Sequence, residues 1–232
     1  MSNSTILITG ANRGIGLELT RLFSEDGWQV LACCRSPEAA EALKALTSEY
    51  STLEIFPLDV TNYGQLAALS LQLKDRPIDI LLSNAGIYGP RGTAFGEVDA
   101  AAWRQVLEVN TIAPLMLAQA FIEQVAISRQ KLVAVISSKM GSIADNSSGG
   151  SYIYRTSKTA LNQVVKSIAK DVEGRDISAI SLHPGWVRTE MGGSNGEIDV
   201  NESAAGLKQV LTGATLTQSG HFFNFDGSEI PW

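Results

Sequence analysis

Cysteine and histidine are scarce, with two of each in the chain. Cys33 and Cys34 are adjacent in an apolar run. Neighbouring strand residues point to opposite faces, so a bond between these two is geometrically poor. No second cysteine pair or nearby histidine accompanies them, and His183 and His221 have no clustered cysteine partners. A metal site is therefore not expected. No long uncharged apolar stretch of the kind a membrane helix needs stands out. The opening residues MSNSTILITG place no basic segment before the apolar run, which ends in a glycine turn and not a cleavage site. Positive charge is also short: 18 Lys+Arg against 24 Asp+Glu leave a net charge of −6. That balance disfavours nucleic acid and anionic membranes as partners. The expectation is a soluble cytoplasmic protein.

What is present is a regular alternation of strands and helices. The 232 residues fit one α/β domain, 1–232, with no linker or repeat. Apolar runs at 4–9, 29–34, 52–58, 78–83, 131–137, 176–184 and 221–226 predict seven strands. Helical patterns fill 14–26, 37–48, 62–74, 99–127 (with Pro114 as a possible bend) and 152–172. Continuous apolar strands separated by helices predict a doubly wound, mainly parallel sheet covered on both faces, a Rossmann fold. The Gly/Ser-rich stretches at 145–151 and 192–196 are loops at its edge.

The first strand runs directly into Thr9-Gly10-Ala11-Asn12-Arg13-Gly14-Ile15-Gly16, and a helix follows. Glycines there allow a tight turn and a close approach by a pyrophosphate, and the helix N-terminus offers unpaired N–H groups to the anion. Asp59 ends strand three, where it suits either an adenine amino group or a helix cap. Asn84-Ala85-Gly86 ends strand four, and Asn84 suits either the dinucleotide cleft or the backbone of two neighbouring turns. Strand two ends in Cys33-Cys34-Arg35, with no acidic residue to accept from ribose hydroxyls. Arg35, with Arg13, suits a 2′-phosphate; the bland alternative leaves Arg35 in solvent and Arg13 against a helix end.

Tyr154-Arg155-Thr156-Ser157-Lys158 sets a phenol and an ammonium four residues apart, on one helix face. A nearby lysine lowers a tyrosine pKa and makes it a usable acid or base. Spacing alone fits an ordinary amphipathic helix equally well. Ser138, beyond strand five, can donate to a carbonyl oxygen as charge develops on it, with Ser137 and Ser142 as competitors for the role. Asn110 is an awkward mid-helix residue unless its amide is used, either in a water relay beside Lys158 or as a buried hydrogen-bonding group.

TGANRGIG (9–16), NAG (84–86), Asn110, Ser138, YxxxK (154–158) and PGWVRT (184–189), in this order, resemble the short-chain dehydrogenase/reductases along essentially the whole chain. YRTSKTALNQ (154–163), SLHPGWVRTEMGG (181–193) and FFNFDGSEIPW (222–232) resemble a narrower group, the sniffer-like carbonyl reductases and bacterial C-factor proteins. The resemblance implies hydride transfer between NADP(H) and a small carbonyl or alcohol. Tyr154 would be the general acid/base, Ser138 would polarise the carbonyl, Lys158 would tune the tyrosine and bind ribose, and Asn110 would support a water-linked relay. The implied cofactor contacts are Gly10, Asn12, Arg13, Gly14, Ile15, Gly16, Arg35, Asp59, Val60, Asn84, Ala85, Gly86, Tyr154, Lys158, Pro184, Gly185, Val187 and Thr189. It also implies a homodimer or homotetramer. ADNSSGG lengthens the Ser138–Tyr154 spacing beyond the family's commonest value, and the stretch after Thr189 offers only a modest substrate lid. A dinucleotide-binding signalling protein with little turnover is the alternative.

Overall fold

A computed structural model describes residues 4–232. Its centre is one parallel sheet in the order β3-β2-β1-β4-β5-β6-β7. The strands are β1 (Thr5–Thr9), β2 (Gln29–Cys34), β3 (Leu53–Pro57), β4 (Ile80–Ser83), β5 (Leu132–Ile136), β6 (Ser178–His183) and β7 (Phe222–Asn224). The helices are α1 (Gly14–Glu25), α2 (Glu41–Glu49), α3 (Tyr63–Gln72), α4 (Ala100–Leu107), α5 (Ala113–Ala126), α6 (Tyr152–Asp171) and α7 (Val200–Gly213). The seven-stranded, doubly wound fold is the one the alternating pattern predicts. All five residues of β1 and of β5 are buried, as strands covered on both faces must be.

Alternation along the strands builds two cores. Leu7, Cys33, Val133 and Val135 face Leu117, Phe121, Leu161 and Val165 of α5 and α6. Ile6, Ile8, Cys34, Ala134 and Leu182 face Leu19 and Phe23 of α1 and Leu207 and Leu211 of α7. Cys33 and Cys34 thus sit on opposite faces, both buried and free. Strand order reverses between β1 and β4, which opens a crevice beyond their carboxyl ends where ligands bind in such sheets.

Four features differ from expectation. Helix α7 lies in a stretch where only loop was expected. The Asp199 carboxylate caps it by accepting from the Glu202 N–H at 2.8 Å, and Ala204, Leu207 and Leu211 bury one face completely. The 99–127 region is three pieces: α4, a π-helical turn over Glu108–Ile112, and α5, with Pro114 near its start. The irregularity therefore lies at Asn110, and the proline fits the first turn of the helix that follows. The helical run Ala100–Ala126 is long and apolar enough to cross a membrane by length and composition, where the sequence shows no long uncharged apolar stretch. Its apolarity is used within the fold, since Val106, Leu117, Phe121 and Val125 are almost wholly buried. Finally, a 3-10 turn over Pro37–Ala39 precedes α2, where one helix was expected.

Candidate active site

The glycine-rich turn leaves β1 at Gly10, whose φ of +67° is one that other residues rarely adopt. The chain then closes on itself: a Cβ on Gly16 would lie 2.3 Å from the Gly10 carbonyl oxygen and 2.5 Å from Asn84 Nδ2. Asn84 Nδ2 donates to the carbonyls of Thr9 at 2.9 Å and Gly10 at 3.2 Å, so Asn84 ties the β1 and β4 turns together. Thr9 Oγ1 accepts from the backbone N–H groups of Asn84 and Ala85. Arg13 takes the capping position of α1 without a side-chain cap, and the first turn carries no acidic group. The unpaired N–H groups of that first turn and the positive helix end lie at the crevice with no side-chain cap or acidic neighbour among the described residues, which suits an anion. Asn12 is exposed at the turn, while Gly14 and Ile15 are half-buried.

Arg13 does not stand free beside the crevice. It forms an ion pair with Glu190 from the loop after β6. Arg35 is exposed beyond β2 and close enough to Asp59 to help hold that carboxyl below the usual range. The larger causes are hydrogen bonds to Asp59 Oδ1 from the Thr61 N–H at 2.9 Å and hydroxyl at 2.7 Å. Asp59 therefore closes its own turn, and the cap of α3 is Asn62. Val60 is buried against the α3–α5 core.

The π-helical turn aims the Asn110 amide inward. Its Oδ1 accepts from the Ile87 N–H at 2.9 Å, and its Nδ2 donates to the Ile87 carbonyl at 2.8 Å and to Ser157 Oγ at 3.0 Å. Asn110 thereby fixes the loop backbone just after Gly86. A Cβ at Gly86 would lie 3.3 Å from Asn110 Oδ1 and 3.6 Å from Lys158 Nζ, so the three positions converge.

Ser138 and Tyr154 converge as well. Burial pushes the Tyr154 phenol up to about 12, while a hydrogen bond with Ser138 opposes the rise. The two competing serines are committed elsewhere: Ser137 Oγ donates to Asn162 Oδ1 at 2.6 Å, and Ser142 Oγ donates to the Trp232 carbonyl at 3.1 Å. Lys158 Nζ is 5.8 Å from the Tyr154 ring centroid and donates to the Ile136 carbonyl at 2.8 Å. Burial brings its pKa down to about 8. The expected lowering of the tyrosine by lysine is thus not what prevails in this state. Desolvation dominates both groups, because the ammonium points at a backbone carbonyl and not at the phenol oxygen.

Three further contributions shape the site, and of them Tyr88 carried no sequence signal. Tyr88 stacks on Tyr154 with ring centroids 4.4 Å apart. The Trp232 carbonyl accepts from the N–H groups of Ile143 and Ala144, which pins the loop after Ser138. The loop after β6 folds back through its own bonds: Arg188 N–H donates to the Ile198 carbonyl, and Trp186 Nε1 to the Gly192 carbonyl. Pro184, Gly185, Val187 and Thr189 form the first part of that loop, with the Pro184 carbonyl accepting from Ser203 of α7.

A sequence profile described as short chain dehydrogenase matches residues 4–199. The C-signal protein of Myxococcus xanthus is 38% identical over 156 residues, covering 67% of this chain and 93% of that one. The structure of the carbonyl reductase Sniffer of D. melanogaster superposes with a TM-score of 0.91 at 36% identity, each chain fully covered. The NADPH-bound carbonyl reductase from chicken fatty liver gives 0.92 at 33% identity, again over 100% of both chains.

Proposed function

Since the chain belongs to the short-chain dehydrogenase family, we propose that it is an NADPH-dependent carbonyl reductase acting on a small aldehyde, ketone or the corresponding alcohol. The reading rests above all on one observation: the buried Tyr154 phenol meets Ser138 at the carboxyl end of the sheet, with Lys158 packed beside it. One domain, residues 1–232, would both bind the dinucleotide and do the chemistry. The uncapped α1 N-terminus and the close-packed Gly10 and Gly16 fit a pyrophosphate, and Arg35 in place of an acid fits a 2′-phosphate. NADPH in the chicken carbonyl reductase supports the same choice. A bound nicotinamide supplies the hydride that adds to the carbonyl carbon.

The chain's own part is the proton and the orientation. A phenol held near 12 is protonated at neutral pH and ready to give its proton to the new alkoxide. Ser138 donates to the same oxygen as charge develops. Lys158, at about 8, still carries most of its charge at pH 7 and steadies the phenolate left behind. Asn110 holds the Gly86–Ile87 backbone in place and is the proposed support for a water relay to Lys158. Gly86, Pro184, Gly185, Val187 and Thr189 would border the nicotinamide. The protein would work in the cytoplasm, and as a homodimer or homotetramer; self-association is supported by Ile112, exposed on the α4–α5 run, and Ile127, exposed just past its end.

The test is turnover of a carbonyl panel with NADPH and NADH by the parent and by Tyr154→Phe. The substitution should keep the fold and nucleotide binding and lower kcat by about 10²–10⁴-fold. Near-parental rates would remove Tyr154 from the role. A second reading, a nucleotide-binding signalling protein, has the C-signal relative in its favour. Nucleotide binding with no turnover anywhere on the panel would favour it.

A further inference from the structure

Tyr88 lies outside every motif that carries the proposed chemistry, yet it is the aromatic ring in closest contact with the proposed proton donor. Its ring lies nearly parallel to that of Tyr154, 22° apart in plane and 4.4 Å between centroids. Two further contacts hold it there, and the chain beside it is tightly packed. Its hydroxyl is 3.1 Å from Ser151 Oγ. The Arg91 guanidinium sits 4.6 Å from its centroid, and Arg91 is itself bonded to the Met191 carbonyl in the loop after β6. Gly89, next in the chain, turns tightly against α4: a Cβ there would lie 2.8 Å from Val106 Cγ2. A ring held from three sides is a wall and not a loose flap.

The wall bounds a cavity of about 80 Å³, lined among others by Tyr88, Pro90, Thr93, Val98, Ile153 and Tyr154. The cavity touches Tyr154 but neither Ser138 nor Lys158, so it suits a substituent of the substrate and not its reacting oxygen. An apolar cavity of about 150 Å³ takes up benzene. This pocket, of about half that volume, fits a short chain better than a ring. No charged side chain lines it, the Thr93 and Ser151 hydroxyls sit among the apolar groups, and Phe95 packs at 6.1 Å against Tyr152 on its edge.

We propose that Tyr88 determines substrate specificity by walling the pocket beside Tyr154, so that the substrate is an aldehyde or ketone whose substituent on that side is a short, uncharged, unbranched chain. This rests on the carbonyl-reductase reading for its chemistry, though not for its geometry. Removing the ring joins its volume to the cavity and makes room for an aryl group. Removing only the hydroxyl leaves the wall in place.

The experiment uses 2-hexanone and acetophenone as probes with the NADPH-loaded parent, Tyr88→Ala and Tyr88→Phe. Affinity is read by calorimetry at a temperature and duration that allow no turnover, and kcat/KM separately. The aryl-to-linear ratio should rise tenfold or more in Tyr88→Ala, in affinity and in kcat/KM, and stay within twofold of the parent in Tyr88→Phe. A ratio unchanged in Tyr88→Ala, in protein whose melting temperature shows it folded, overturns the assignment, as does a Tyr88→Phe ratio that moves with it. A parent that binds linear ketone preferentially yet reduces neither probe would sink the carbonyl-reductase reading and leave the wall standing. If Tyr88→Ala does not fold, Tyr88→Leu is read by the same ratio. A positioning effect has its own signature: absorbance titration against Tyr154→Phe doubles should show the Tyr154 phenol falling from about 12 toward its ordinary value once Tyr88 is removed.

Discussion

The two halves of the crevice are built from different materials. On the β1–β4 side the surface is mostly backbone: the Gly10–Gly16 turn, the free N–H groups of α1, and Asn84 tying two turns together. On the β5–β7 side it is side chains, with Ser138, Tyr154 and Lys158 meeting at a point and Tyr88 reaching across from the loop after β4. A backbone surface recognises what every dinucleotide shares, and it tolerates substitutions that add nothing to the space it leaves. A side-chain surface does chemistry, and it can fail through the loss of one atom. The first kind should break by steric intrusion and the second by charge or deletion.

The largest effect should come from intrusion on the backbone half. Gly16→Val sets its Cβ 2.3 Å from a carbonyl oxygen and 2.5 Å from an amide nitrogen already held by two carbonyls, so neither neighbour can give way. We expect a loss of about 4 kcal/mol, above the usual range for overpacking because both neighbours are fixed. Gly213→Ala, at the end of α7 with nothing within 4 Å of its Cβ, is the control. It should stabilise by up to about 1 kcal/mol through helix propensity. Urea unfolding of the two variants measures both, and equal effects would show that the close contacts do not govern the turn.

The next effect is electrostatic and belongs to the side-chain half. His183 ends β6, and its Nδ1 is buried without a hydrogen-bond partner among the described residues. Burial lowers its pKa from 6.5 to about 4, with Lys139 adding to the shift and Asp145 opposing it. A folded-state pKa below the unfolded value means that its contribution is present above pH 6.5 and is lost as pH falls from 6.5 to 4, while the unfolded chain takes up the proton first. The contribution of this one residue is roughly 3 kcal/mol. His183→Leu should flatten that part of the stability–pH curve, measured by urea midpoints at half-unit intervals. A curve as steep as the parent's would assign the acid sensitivity to carboxylates instead.

How much was legible in the sequence divides along the same line. The strands and the glycine-rich turn were, because period, turn chemistry and glycine placement are local. The convergence of Ser138 with Tyr154 was legible only as an ordered set of motifs; nothing local in either segment brings them together. Ser137 and Ser142 could not be separated from Ser138 by sequence, since the choice depends on partners as distant as Asn162 and Trp232. Asn110 was noticed as an awkward helix residue, and the π turn is the physical reason it fits. Helix α7 went unseen behind a glycine-rich loop, although Asp199 as a cap and Leu207 and Leu211 four apart were a usable signal. Tyr88 gave none, because an aromatic residue in a loop becomes informative only when its stacking partner is known.

The smallest effect concerns an ion pair that links the two halves at the crevice. Arg13 belongs to the glycine-rich turn and Glu190 to the loop after β6, and their side chains are 63% and 78% exposed. So exposed a pair contributes little to stability, well under about 1 kcal/mol, and salt screens it. Its consequence is for binding. Arg13 was expected to meet the 2′-phosphate of NADPH, and in this structure its guanidinium is already engaged by a carboxylate. If Arg13 must leave Glu190 to reach the phosphate, the carboxylate competes with the cofactor. Glu190→Gln removes the charge and keeps the shape, so it should tighten NADPH binding by about twofold to fivefold, the size of effect a surface ion pair carries. NADH has no 2′-phosphate, and its affinity should not move. Nucleotide fluorescence titrations at low and high salt measure both, and the NADPH gain should shrink as ionic strength rises. Equal tightening of NADPH and NADH would mean that Glu190 acts on the loop and not on Arg13. No change for either would leave 2′-phosphate recognition to Arg35 alone.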